Sequence, residues 1–127
     1  MRRKILVLVF CWIIVIVPLA CTWTRSYVEA QSQRAATEID ANQELADPVL
    51  SAINGYEEEQ GYLPEQLSYL LPTYLSAIPK TVGGQDFEYY LDDINGYYLC
   101  FDVLSKPCLG CCYYGRLDFW DCSGGCE

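Results

Sequence analysis

From Cys100 onward the chain carries six cysteines: Cys100, Cys108, Cys111, Cys112, Cys122 and Cys126. Cys108 and Cys111 form a C-x2-C pair and Cys122 and Cys126 a C-x3-C pair, spacings at which thiolates hold zinc. The same residues serve as disulfide staples, and Cys108-Leu-Gly-Cys111 also has the form of a redox pair. No His occurs anywhere in the chain, so a mixed Cys/His metal site is excluded. Catalysis fares no better: without His, with scattered carboxylates and with cysteines that pair among themselves, no nucleophile has an activating base beside it. The residues do not read as those of an enzyme, and no cofactor is implied.

Compartment decides between zinc and staples. The chain opens Met1-Arg2-Arg3-Lys4, and residues 5–24 contain no charged side chain. A helix of about 20 apolar residues spans the roughly 30 Å of a bilayer core. The basic triplet stays on the cytoplasmic side, which sends the remainder out. Three fates of this segment stay open: an uncleaved signal-anchor, which is the reading adopted, cleavage after Val28-Glu29-Ala30, or lipidation at Cys21. All three export the cysteines to an oxidising compartment, where thiols pair. Staples are therefore expected, with one bridge joining Cys100 to the cysteine-rich tail. Cys111 and Cys112, being neighbours, are expected to reach different partners.

Without the triplet, five basic residues face 17 acidic ones, a balance of about −12. Such a field repels nucleic acid and anionic lipid and suits cations or a basic protein surface; it also keeps an exported domain soluble.

The elements that must hold these residues are readable in outline. Residues 1–24 form the anchor helix. Residues 25–46 are polar, with Val28, Ala35, Ala36 and Ile39 at helical spacing, and read as a helical stalk. Asp47-Pro48 reads as a fresh helix start, with Val49, Leu50, Ile53 and Tyr56 on one buried face and a stop at Gly61. Glu57, Glu58 and Glu59 crowd the helix end, where the macrodipole prefers cations; a solvated face is the plainer reading and a cation or partner site the sharper one. Pro64 and Pro72 bracket a short helix over 65–71. Phe87 to Leu104 reads as a β-hairpin with a three-residue loop, Ile94-Asn95-Gly96, pairing Leu91 with Leu99, Tyr89 with Phe101 and Phe87 with Val103. That register leaves Glu88, Tyr90, Asp92, Tyr98, Cys100 and Asp102 on the opposite face, with the tail expected to cover it. The exported domain, residues 47–127, is thus α+β: a helical segment on a small antiparallel hairpin or sheet with a stapled tail from residue 100.

Ala52, Ile53, Tyr56, Gly61, Tyr62, Pro64, Leu67, Leu75, Ile78 and Pro79, followed by a tyrosine-rich hairpin, resemble the heads of bacterial type IV pilins and, more closely, the major pseudopilins of type II secretion. The resemblance covers roughly residues 47–103. It implies a pilin-like fold on a single-pass anchor in the bacterial cytoplasmic membrane, with the C-terminal domain in the periplasm or outside. It further implies a structural or interaction role beside a secretion or envelope assembly, with a protein partner there. The chain departs from that family in lacking the prepilin peptidase Gly and any Glu before Glu29, so polymerisation through the family's Glu has no residue to use. The family also implies weak calcium binding near the C-terminal loop, for which Asp118 and Asp121, or Asp92 and Asp93, offer oxygens. The rival reading is a stapled ligand-binding module for glycans or cations, built on Tyr89-Tyr90, Tyr97-Tyr98, Tyr113-Tyr114 and Trp120.

Overall fold

A computed structural model describes the backbone of residues 2–124 and the side chains of residues 26–124. Two compact units divide the chain, Met1–Arg34 and Ala35–Glu127. The element order is helix α1 (Arg2–Gln60), a 3-10 turn (Leu67–Leu70), and strands β1 (Glu88–Asp92), β2 (Gly96–Asp102), β3 (Gly110–Tyr114) and β4 (Phe119–Ser123). This is an α+β chain. The membrane placement expected of residues 5–24 lies outside the described side chains, and among those described no helix is long and apolar enough to cross a membrane.

Helix α1 does not restart at Asp47. It runs unbroken through Pro48, whose ring and Asp47 are both exposed. Proline removes one backbone donor, a cost that a buried flank on either side offsets. Ala35, Asn42, Ala46, Val49, Ile53 and Tyr56 recur at spacings of three, four and seven and are all buried. That stripe extends the expected Val49–Tyr56 face by about four turns toward the N-terminus, so the packed part of the helix begins at Ala35 rather than at Asp47. The helix ends at Gln60, with Gly61 at φ 80° and its N–H donating to the Glu57 carbonyl (2.8 Å). An L side chain at that angle is strained, which is why the stop was legible. The short helix expected over 65–71 is realised only as the 3-10 turn, which buries Leu67 and Leu70.

The four strands form one antiparallel sheet in the order β1-β2-β3-β4. The cysteine-rich tail is therefore not a cover laid over the hairpin; it supplies the third and fourth strands. The hairpin register is also corrected. Leu91 pairs with Tyr97, Tyr89 with Leu99 and Glu88 with Cys100. The loop is Asp93-Ile94-Asn95, one residue earlier than expected. The Asp92 carboxylate causes this shift: its Oδ2 accepts from the amides of Ile94 (3.1 Å) and Asn95 (2.6 Å) and from Asn95 Nδ2 (2.9 Å). Arg116 adds a clamp from outside, Nη1 donating to the carbonyls of Asp93 (3.0 Å) and Ile94 (2.9 Å). Because the slip is two residues, every side chain keeps its expected face.

The inner face carries Tyr97, Leu99, Phe101, Val103, Cys111 and Tyr113, all buried in one core with the helix stripe and with Phe87, Leu67 and Leu70. Phe101 and Tyr113 each meet Trp120 at 5.4 Å between centroids, so β4 closes the far side of this core. Aromatic pairs at such separations add to what area burial alone contributes.

Candidate functional site

On β3, Cys111 and Cys112 alternate, as strand residues must, to opposite faces of the sheet. Each meets a cysteine placed directly across from it on a neighbouring strand. Cys112 is bonded to Cys100 of β2 on the outer face, and Cys111 to Cys122 of β4 on the inner face. Strand β3 is thus riveted to both neighbours, once on each side. Cys108 is disulfide-bonded too, and Cys126 lies outside the described residues. The expected bridge from Cys100 to the tail is present, and the two adjacent cysteines take different partners. Oxidised pairs hold no thiolate for zinc.

Two carboxylates and one amide organise the loops, and none of the three roles was foreseen from the residue types. Glu38 on α1 accepts the amides of Leu104 (2.7 Å, Oε1) and Ser105 (2.9 Å, Oε2), capping the turn that leaves β2. Partial burial alone would raise its pKa, but hydrogen bonding from Ser105 and from the amide of Leu104 outweighs that and holds it below its ordinary value of 4.5. Asp92 is likewise lowered, chiefly by the Asn95 amide. Asn42, fully buried on the helix stripe, accepts the Val82 amide through Oδ1 at 2.8 Å, while its Nδ2 has no partner. The one available signal was a polar residue at a stripe position, seven before Val49.

The acids singled out for calcium are engaged singly and apart. Asp118 accepts the Tyr113 hydroxyl, Asp121 meets the Ser123 hydroxyl at 3.4 Å, Asp92 is spent on its own loop and the Asp93 carbonyl on Arg116. Among the described residues no group of three or more Cys, Asp or Glu side chains could hold a metal ion. Of the three glutamates at the helix end, Glu59 accepts the Tyr74 hydroxyl, while Glu57 and Glu58 are exposed.

The tyrosine pairs divide by strand alternation. Tyr89, Tyr97 and Tyr113 face inward, where burial lifts Tyr97 to about 12 and raises Tyr89 and Tyr113 further still. Tyr90, Tyr98, Tyr114 and Phe119 face outward and occupy successive paired positions across all four strands. They form one row. Tyr98 meets Tyr114 edge-on, with centroids 4.8 Å apart at 78°, and Tyr114 stacks on Phe119 at 5.0 Å and 8°. Below this row lies a second: Glu88, the Cys100–Cys112 bridge and Asp121. A hollow of about 270 Å³ opens beside it, lined by Gln85, Asp86, Glu88, Phe101 and Asp102. No family model, curated protein or solved structure matches this chain.

Proposed function

We propose that the chain is a membrane-anchored, exported, pilin-like structural and interaction protein. It sits in the bacterial cytoplasmic membrane by its N-terminal helix, with its C-terminal domain in the periplasm or outside, beside a secretion or envelope assembly. The observation that carries this reading is the single helix Arg2–Gln60. It includes the whole apolar run and, from Ala35 on, buries a continuous stripe in the core that it shares with an antiparallel sheet. A long helix that is apolar at one end and amphipathic at the other suits a tether whose head folds around its outer half. Bridged cysteines support the oxidising compartment that export supplies. The missing peptidase Gly and Glu keep the proposal to a tethered component rather than a filament subunit.

Ring geometry weighs against the rival glycan-stacking module. A stacking platform presents ring faces to one ligand plane, whereas Tyr98 and Tyr114 lie at 78° and Tyr114 turns its face to Phe119. The test is the fractionation of the native chain: retention in membranes after an alkaline wash supports the anchor, and recovery in the soluble fraction refutes it.

A further inference from the structure

The outer face of the sheet has a composition unlike the rest of the molecule. Its strand positions are Glu88, Tyr90 and Asp92 on β1, Gly96, Tyr98, Cys100 and Asp102 on β2, Gly110, Cys112 and Tyr114 on β3, and Phe119, Asp121 and Ser123 on β4. Four are carboxylates and none is Lys or Arg. Tyr90 and Phe119, at the two ends of the aromatic row, remain 52% and 45% exposed. The helix covers the other face, so no described element lies over this one.

We propose that this face docks an extended, Arg- or Lys-bearing segment of a partner protein, its cationic side chains lying on the aromatic row and reaching the carboxylates below. Charge complementarity selects the occupant: Lys80 is paired with Asp86 and Arg116 is held at the hairpin loop by the Asp93 and Ile94 carbonyls, so strand positions that carry four carboxylates and no Lys or Arg repel acidic partners, steer basic ones and fix their orientation. Aromatic rings add a second attraction specific to cations, since their π-faces are negative and prefer guanidinium above all. The hollow of about 270 Å³ offers Glu88 and Asp102 to a side chain leaving the row. Glu88 Oε2 already accepts the Tyr90 hydroxyl at 2.7 Å, which joins the end of the aromatic row to the acids. Lys80, bonded to Asp86 at 2.7 Å, neutralises the far wall and leaves Glu88 and Asp102 as the acids that face the entrant. A neutral glycan uses neither the charges nor this ring arrangement.

This inference names the partner's chemistry within the interaction role proposed above, and rests on that role. Its test uses the purified full chain in detergent, a fluorescein-labelled Gly-Ser peptide bearing four arginines, and anisotropy at low and physiological salt. Binding is expected to weaken about tenfold in Glu88→Gln/Asp121→Asn and in Tyr90→Ala/Phe119→Ala, as loss of paired charge and stacked cations dictates. Glu57→Gln/Glu58→Gln, an equal loss of charge at the helix end, is expected to change it less than about twofold. Equal weakening by both charge variants reduces the attraction to net charge and overturns the proposal, as does peptide binding that ignores all three variants. Binding of a neutral oligosaccharide by this face in place of the peptide overturns it too. Intact disulfides by mass and unchanged circular dichroism in each variant exclude misfolding. Failure here leaves the membrane anchor untouched, since fractionation reads that independently.

Discussion

Asn42 and Glu38 tie the helix to the loops at either end of the hairpin segment, and both roles lead to measurable consequences. Replacing Asn42 by Ala strands the Val82 amide in a buried place, which costs about 1–3 kcal/mol and is expected to lower the urea midpoint without changing the slope. Glu38 acts through its charge. Its pKa is below 4.5 in the folded chain and ordinary in the unfolded one, so between those values the unfolded state binds more protons. The stability it contributes is therefore complete above about 4.5 and is lost as pH falls through the folded value. Glu38→Gln is expected to lower the denaturation midpoint at pH 7 and to flatten its decline below pH 4.5; an unchanged acid limb contradicts the capping role. Neither residue announces itself in the sequence. A Glu on an amphipathic helix reads as solvated, and the turn it caps lies 66 residues further along the chain.

At the scale of elements, local punctuation was legible and long-range pairing was not. Gly61 ended the helix and Gly96 took the left-handed conformation, φ 77°, because only backbone angles were at stake. The hairpin faces followed from alternation, but the register needed the Asp92 carboxylate and the Arg116 clamp, a contact across 23 residues. Pro48 misled for a related reason: its local preference for a helix start was overridden by burial on both sides of it. The cysteines signalled staples without saying that they belong to strands. Each described bridge closes a short loop, with separations of 12 and 11 residues, for which loop-closure entropy gives about 3 kcal/mol. Cys100→Ala/Cys112→Ala is expected to lose about that much stability. Cys111→Ala/Cys122→Ala loses more, since Cys111 is fully buried and its sulfur leaves a cavity. Thermal unfolding of the two double variants checks the order; a larger loss from the outer pair contradicts it.

At the scale of the whole molecule, the chain combines an apolar N-terminal run, a helix that becomes amphipathic from Ala35, and a sheet whose third strand is bridged on both faces. Composition already pointed outward, through the charge asymmetry between the basic triplet and the acidic remainder. The outer face was only half legible: alternation placed Tyr90 and Tyr98 there, but the four-strand row required the tail to pair as β3 and β4. Export and anchoring are the central claim, and topology in native membranes tests them most directly. Membranes and intact spheroplasts carrying the chain are washed with alkaline carbonate or treated with external protease, and the surviving fragments are weighed with and without reductant. The account predicts a membrane-retained chain that keeps residues 5–24, whose head from Ala35 onward is lost to external protease and gains mass on reduction before alkylation. A chain released by the wash, shielded from external protease and carrying free thiols at Cys100, Cys111, Cys112 and Cys122 would contradict it.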